Sequence, residues 1–394
     1  MGTPDRSVAL LRNLEGPQRA SFVELLFDVV FVFAFTRLGE RLVEDLTWLG
    51  LYQVLLLVLA MWWVWYRMAW TTNRYDPERP VIQLTVIATM LGTLLMAAAL
   101  PAAFDGSALV FAPVYVAIQV LRHLWLVLLG GDRYAQLVSV RILAWATVSA
   151  VPWIIGMFTQ GSARMVLWSL AVLTDYLGGL LDFPTPRLGR AGLRGRKVAE
   201  EHLTERFRQV LIIAFGETIL TSGIHFSPHA FERDRTFALV VAFIITVLLW
   251  QIYFYRAGEL LPAAIVASKA QARVGELASY SHLIMVIGVA ISGVGDTLII
   301  REPVGHTRLS WLLVIVGGPV LFLTGRALLD YFVFSHVSAS RPIGAILLAV
   351  VALTASALSP ILIAVLVAAV LAGVAVSNVL SWRLFPRLPA PPFR

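Results

Sequence analysis

Two carboxylates stand within one apolar run near the start of the chain. The run at residues 21–38 reads SFVELLFDVVFVFAFTRL and carries Glu24 and Asp28, four residues apart. On a helix this spacing places both side chains on one face, about one turn apart. Because an ionised group at membrane depth costs roughly 2.5–3.5 kcal/mol, it usually faces a helix bundle, a partner or water. The pair therefore indicates a polar path or pocket. The alternative is a structural role, in which the carboxylates snorkel to the interface or pair with an arginine.

Three more ionisable residues, Arg122, Glu217 and Arg326, fall near the middle of later apolar runs. An arginine keeps its proton in proteins, so a buried guanidinium needs an acceptor. Asp330 follows Arg326 by one helical turn and is a local partner for it. Arg122 has no carboxylate at helical spacing, and its candidate partners from other runs are Asp28, Asp175 and Glu217. Glu217 suits cation coordination, proton relay or a salt bridge, whereas the arginines suit either structural ion pairs or anion recognition.

His202 and Glu205 stand three residues apart and share one helical face at the start of the seventh apolar run. A carboxylate–histidine metal site of the kind built inside four-helix bundles is one hypothesis for them. Its other ligands would be Glu24, Asp28 and His282. The alternative is that His202 is a helix-start residue and that Glu205 caps the helix N-terminus, where the helix dipole favours an anion.

Other polar and aromatic residues are interpreted as structural. His123 and His282 are predicted to be satisfied polar residues between helices, with proton relay as the alternative. Asp296 falls near the outer end of its apolar run and is predicted to be interfacial. An aromatic cluster in the second run is typical of an interfacial belt and comprises Trp62, Trp63, Trp65, Tyr66 and Trp70.

The elements that must position these residues are membrane helices. The chain has 394 residues, of which 59% are hydrophobic and 14% charged, and apolar runs of about 20 residues recur along it. The fold class is therefore predicted to be an all-α polytopic membrane protein. About twelve spans are expected, at residues 20–38, 48–70, 81–103, 109–130, 138–159, 163–182, 207–224, 235–256, 276–299, 308–334, 342–359 and 361–382.

The basic residues predict the orientation. With an inside N-terminus, most of the 31 lysines and arginines fall on the inner side, which is typical of cytoplasmic loops. The densest group lies between the sixth and seventh spans and comprises Arg187, Arg190, Arg194, Arg196 and Lys197. Both termini are therefore predicted to be cytoplasmic. The net charge of +7 is explained by these loops, so no nucleic-acid partner is expected.

The chain is predicted to contain an internal duplication. Residues 24–38 align without gaps on residues 205–219, and Arg122 in the fourth span corresponds to Arg326 in the tenth. WVWYR in the second span also resembles IYFYR in the eighth. Because each half has six spans, an even number, the two halves have the same orientation in the membrane, as in parallel-repeat transporters. The predicted organisation is an N-terminal segment, a first repeat, a basic cytoplasmic linker, a second repeat and a cytoplasmic tail, at residues 1–19, 20–182, 183–201, 202–382 and 383–394.

Two of these motifs carry a family resemblance. FVELLFDVVFVFAFT at residues 22–36 resembles the N-terminal signature of the bacterial low temperature requirement protein A (LtrA) family. HLTERF at residues 202–207, followed by IIAFGE at residues 212–217, resembles its mid-chain signature. The resemblance implies a multi-pass protein of the bacterial cytoplasmic (inner) membrane. The family name records a low-temperature growth phenotype, which implies a link to stress response and defines no reaction.

The first functional hypothesis is a transporter or ion-conducting protein with a small ion or small molecule as its substrate. Its polar centre would contain Glu24, Asp28, Arg122, Glu217 and Arg326. The alternatives are an intramembrane enzyme, with paired carboxylates as acid and base on a lipid or apolar metabolite, and a scaffold or stress factor without transport. No P-loop, nucleophile elbow, zinc-protease or dinucleotide motif occurs. No cofactor is therefore expected. The expected partner is the lipid bilayer, with a homo-oligomer as a further option.

Overall fold

The protein is described from a computed structural model that covers residues 10–13, 19–129, 133–192, 198–227, 231–255 and 257–384. In these residues the backbone forms thirteen α-helices, and β-pairing is limited to two isolated bridges. The helices are α1 (Phe22–Glu44), α2 (Trp48–Arg74), α3 (Pro80–Ala99), α4 (Ala108–Leu128), α5 (Arg133–Met157), α6 (Gly161–Leu180), α7 (Glu200–Phe226), α8 (Arg233–Phe254), α9 (Ala257–Ala267), α10 (Gln271–Arg301), α11 (Leu309–Phe334), α12 (Ser340–Thr354) and α13 (Pro360–Leu384).

The predicted fold class, an all-α membrane protein, is confirmed. Each of the twelve predicted spans coincides with a helix, and α9 is a helix that the hydropathy pattern did not predict. In the described chain, nine helices are long and apolar enough to cross a membrane; α1, α6, α9 and the 15-residue α12 are outside that set. The protein is therefore a multi-pass membrane protein, and the number of twelve crossings stays a prediction.

The chain divides into two compact units. The first comprises Met1–Leu38 and Trp48–Leu203, and the second comprises Gly39–Thr47 and Thr204–Arg394. The larger segment of the first unit ends at Leu203 and that of the second begins at Thr204, so the boundary between them falls within α7. This point is close to residue 202, where the second predicted repeat begins. The predicted duplication itself stays a prediction.

In the first unit, helices that follow one another in the chain pack side by side from α2 to α6, and α2 also packs on α4 and α6. Aromatic rings fill its interior. Trp153 and Trp168 have ring centroids 5.0 Å apart, and Trp62 lies 4.8 Å from Trp65. The prediction of an interfacial belt in α2 is wrong for most of its rings, because Trp62, Trp63, Trp65 and Tyr66 are buried within the unit.

The second unit is packed through small residues. A Cβ added at Gly288 on α10 would lie 2.5 Å from the backbone nitrogen of Phe322 on α11, and one added at Gly325 would lie 2.9 Å from the backbone nitrogen of Met285. Such close approach lets the two backbones make extensive van der Waals contact, the usual means of helix association in membranes. Around this pair, α8 packs on α10, α11 and α13, and α12 packs on α11 and α13.

The described part of the predicted linker is tied to α5. Arg141 Nη2 donates to the carbonyl of Leu188 at 2.5 Å, and Trp145 Nε1 donates to that of Pro184 at 2.9 Å. Two of the five basic residues predicted there, Arg187 and Arg190, fall in this part. The other three, Arg194, Arg196 and Lys197, lie outside the described residues.

Candidate functional site

Glu24 is the centre of a buried hydrogen-bond network in the first unit. Its side chain is fully buried, and its Oε1 lies 2.8 Å from His202 Nε2. Its Oε2 accepts hydrogen bonds from the backbone nitrogen and the hydroxyl of Ser21, at 2.9 and 3.0 Å, and lies 3.8 Å from Arg12 Nη2. These contacts bind the segment before α1 and the start of α7 to one carboxylate, which favours the structural interpretation of Glu24.

The neighbours of His202 define its tautomer. The side chain of Asn73 accepts from the backbone nitrogen of Ala199 at 3.2 Å and donates to its carbonyl at 2.8 Å, which fixes the orientation of the amide. The same Asn73 nitrogen lies 3.2 Å from His202 Nδ1. An amide nitrogen can only donate, so Nδ1 is the acceptor and Nε2 carries the proton given to Glu24. The imidazole of His202 is thus neutral, and its two ring nitrogens connect Asn73 on α2 with Glu24 on α1.

Asp28 shares the buried face of α1 with Glu24, as the spacing predicted, but has a different partner. Trp65 Nε1 on α2 donates to Asp28 Oδ1 at 2.9 Å, and both side chains are fully buried. A charge-assisted bond of this kind is stronger than one between neutral groups. Glu24 thus contacts His202 and Asp28 contacts Trp65, although the two carboxylates lie on one face of α1.

Arg122 lies in a polar stripe on α4. Its Nη2 donates to Gln119 Oε1 at 2.5 Å, one turn earlier on the same helix. Two of its predicted carboxylate partners, Asp28 and Asp175, lie in the same unit and are not bonded to it in the described residues; the third, Glu217, belongs to the second unit. Asp175 Oδ2 instead accepts from the hydroxyl of Tyr115 at 2.6 Å. Spacing of Tyr115, Gln119 and Arg122 at i, i+4 and i+7 is the sequence signal that could have identified this stripe.

His123 differs from its prediction as a satisfied polar residue. It is 2% exposed, and neither ring nitrogen has a hydrogen-bond partner in the described part of the chain. The prediction is confirmed for His282 in the second unit, which lies 2.8 Å from the hydroxyl of Tyr253 and 2.7 Å from the carbonyl of Ala278. Both histidines lie within apolar runs of the sequence, and only the folded structure shows that His282 has hydrogen-bond partners whereas His123 has none in the described residues.

Glu217 lies beside a second buried carboxylate in the second unit. Thr221 on the next turn donates to Glu217 Oε1 at 2.6 Å. Asp296 on α10 is 2% exposed and lies one turn after Gly293, which faces Thr218, the residue next to Glu217. The helices meet here because Gly293 leaves room for Thr218, whose hydroxyl would be 3.2 Å from an added Cβ. Asp296 is therefore buried in the protein, and its predicted interfacial level along the membrane normal stays a prediction.

Arg326 has the local partner that its spacing predicted. Its Nη1 bonds to Asp330 Oδ1, four residues later on α11. Arg341 at the start of α12 was not predicted, and its Nε lies 2.8 Å from Asp330 Oδ2. Two guanidinium groups thus share one buried carboxylate, which leaves this cluster with a net positive charge.

The hypotheses for Glu205 and for a metal are not supported. α7 begins at Glu200, seven residues before the predicted span, so Glu205 lies in the second turn and cannot cap the helix N-terminus. The first turn contains Glu200 and Glu201 instead. Across the described residues, no group of three or more histidines, cysteines, aspartates or glutamates is placed to hold a metal ion.

The comparisons with known proteins agree with the sequence motifs. A family model described as bacterial low temperature requirement A protein (LtrA) matches residues 19–376. An uncharacterized protein of Rhizobium meliloti (strain 1021) is 36% identical over 314 residues, which cover 78% of this chain and 76% of that protein. No solved structure matches the chain. These similarities identify relatives and name no substrate.

Proposed function

The chain belongs to the bacterial low temperature requirement A family, and we propose that it is a transporter or ion-conducting protein. We place it in the bacterial cytoplasmic membrane with both termini on the cytoplasmic side, because this orientation puts most of the basic residues in cytoplasmic loops. The observation that carries the proposal is that two membrane helices, α7 and α10, meet at Thr218 and Gly293, and that each buries a carboxylate within one turn of this contact, Glu217 and Asp296.

Two acidic side chains buried together are costly unless something offsets their charge. Ionised groups lose their hydration on burial, and like charges at short range repel. Asp296 Oδ2 is buried without a hydrogen-bond donor, and Asp296 has no ion-pair partner in the described residues. A proton or a cation bound at the pair would offset both costs, and ionisable residues inside membrane segments commonly mark such pathways.

The neighbours of the pair suit a cation. The hydroxyls of Thr218 and Thr221 lie on the same stretch of α7, one residue and one turn after Glu217. Carboxylate and hydroxyl oxygens are hard ligands of the kind that alkali and alkaline-earth cations prefer. The proposal therefore assigns the site to a proton or a small cation.

The test is flux through the full chain reconstituted in liposomes. Proton, sodium and potassium flux are measured for the unaltered protein, for Glu217→Gln and for Asp296→Asn. Each substitution removes one negative charge and keeps the size of the side chain. We expect the flux of the carried ion to fall to the level of empty liposomes in both variants.

The control is Glu232→Gln, which removes a carboxylate whose side chain is 63% exposed before α8. It changes the net charge by the same amount and should leave the flux unchanged. Flux that persists in Glu217→Gln and Asp296→Asn would overturn the assignment of this pair to the pathway.

We extend the proposal to the first unit through Asp28. Asp28→Asn removes a charge and keeps an oxygen that can accept from Trp65 Nε1, which is 2.9 Å away in the unaltered protein. A loss of flux in a variant that still folds would include Asp28 in the path. Normal flux would restrict Asp28 to holding α1 against α2.

A further inference from the structure

One face of α4 buries several hydrogen-bonding nitrogen atoms that have no partner in the described chain. Gln119, Arg122 and His123 lie close together along the helix, and each is at most 3% exposed. The atoms without a partner are Arg122 Nε, Arg122 Nη1, Gln119 Nε2 and both ring nitrogens of His123. Buried polar groups in folded proteins are hydrogen-bonded in the great majority of cases, so a cluster of this size needs an explanation.

The charge around this face is positive. The guanidinium of Arg67 on α2 opposes the charge of Arg122 and disfavours a charge on His123. Within the described part of the first unit, no carboxylate lies within ion-pair distance of Arg122, and its acceptor is the uncharged Gln119. Asp175 bonds to the hydroxyl of Tyr115, one turn before Gln119, and is not paired with Arg122. The face therefore combines unaccepted N–H groups with the uncompensated positive charge of Arg122.

We propose that α4 of the first unit forms a binding site for a small inorganic anion, held by Arg122, His123 and Gln119. A single bound anion would both accept hydrogen bonds from the buried N–H groups and offset the charge of Arg122. Hydrogen bonds between an ionised donor and an ionised acceptor are stronger than those between neutral groups. The donors come from neighbouring positions on one helix, so we infer a ligand small enough to contact them together, a halide or a small oxyanion. The site differs from the carboxylate pair in its unit and in the sign of its charge, and it does not depend on the proposed function.

Arg164 shows how a buried arginine is satisfied by the protein itself in the same unit. Its Nε donates to the carbonyl of Gly156 at 3.1 Å, and its Nη1 donates to that of Phe104 at 2.5 Å. Its guanidinium also lies 5.7 Å from the ring centroid of Trp168. Arg164 thus provides a matched control, because it is buried like Arg122 and has its acceptors within the protein.

The experiment measures thermal unfolding of the detergent-purified full chain by tryptophan fluorescence, with chloride or nitrate replacing gluconate at constant ionic strength. We expect the unfolding temperature to rise and saturate as chloride or nitrate increases. In Gln119→Glu a carboxylate replaces the amide beside Arg122 and supplies a tethered anion. This variant should be stable without added anion and should show no anion-dependent rise. Arg164→Gln should unfold at a lower temperature and keep the anion-dependent rise.

Equilibrium dialysis of the unaltered protein with radiolabelled chloride measures binding directly, and its result does not depend on whether the variants fold. The unaltered protein should bind chloride at a saturable site, and Gln119→Glu, if folded, should not. The proposal is overturned if the unaltered protein shows neither saturable binding nor a saturable rise in unfolding temperature with either anion. It is also overturned if Gln119→Glu keeps the full anion dependence.

Discussion

Asp330 shows how a buried charge is compensated within one unit. Its two carboxylate oxygens face two arginines, Arg326 on the same helix and Arg341 on the next. The first partner could be predicted from the sequence, because residues four apart on a helix are neighbours. The second could not, because the contact between α11 and α12 depends on how the chain turns between them.

This cluster predicts an asymmetry between two substitutions. Asp330→Asn removes the shared carboxylate and leaves two buried guanidinium groups without a counter-charge, which we expect to lower the free energy of unfolding by about 3–5 kcal/mol. Arg341→Met keeps the neutral pair of Arg326 and Asp330, so its cost should be clearly smaller. Unfolding of the purified protein by heat or by sodium dodecyl sulfate measures both. Equal losses would contradict a shared carboxylate.

Glu24 illustrates what sequence reasoning could and could not give. Its burial and its common face with Asp28 followed from spacing and from the cost of charge in lipid. Its proximity to His202, 178 residues away, appeared only as part of a metal hypothesis, and the structure makes the contact a hydrogen bond. The role of Asn73, which sets the tautomer, depends on a backbone contact with Ala199 that no local pattern encodes.

At the scale of elements, apolar runs predicted the positions of twelve helices, and helix ends were less predictable. α7 begins seven residues before the hydropathy pattern indicated, because its first two turns are polar and are held by contacts with other segments. The polar stripe of α4 could be predicted from the i, i+4 and i+7 spacing of Tyr115, Gln119 and Arg122. The burial of the α2 aromatic rings depends on which face of α2 meets its neighbours, which hydropathy does not report.

The close packing of α10 on α11 predicts opposite effects of alanine at two glycines. In Gly288→Ala the new Cβ would lie 2.5 Å from the backbone nitrogen of Phe322, so the helices must separate. We expect this to destabilise the protein by about 1–3 kcal/mol, as overpacking does. Thermal unfolding measures the change.

The matched control for this packing is Gly317→Ala, since a Cβ there meets nothing within 4 Å. Alanine has the higher helix propensity, so Gly317→Ala should be neutral or stabilising by up to about 1 kcal/mol. If the two variants unfolded alike, the close approach of the backbones at Gly288 would not contribute to stability.

At the scale of the whole molecule, the two units repeat the same order of helix neighbours. In the first unit the packed pairs are α2–α3, α2–α4, α2–α6, α3–α4, α4–α5 and α5–α6. In the second unit the corresponding pairs, in the same order, are α8–α10, α8–α11, α8–α13, α10–α11, α11–α12 and α12–α13. α9 is the additional element in the second unit. This order supports the predicted duplication, which stays a prediction, and it places Arg122 and Arg326 on corresponding helices.

The predicted duplication allows the buried charges to differ between the two units. The arginine on α4 bonds to an amide, whereas the arginine on α11 bonds to a carboxylate. The carboxylate pair that carries the functional proposal lies in the second unit. A single shared centre for all the charges is the prediction from sequence and stays a prediction, and the ion pairs and hydrogen bonds reported above each lie within one unit.

The sharpest test of the functional proposal is to measure stability and flux on the same preparation of Asp296→Asn. We predict that flux is lost while the unfolding temperature stays the same or rises, because removing one of two buried like charges relieves repulsion and functional sites commonly reduce stability. A lower unfolding temperature together with retained flux would make Asp296 a structural residue and would contradict the proposal that this carboxylate pair binds the transported ion.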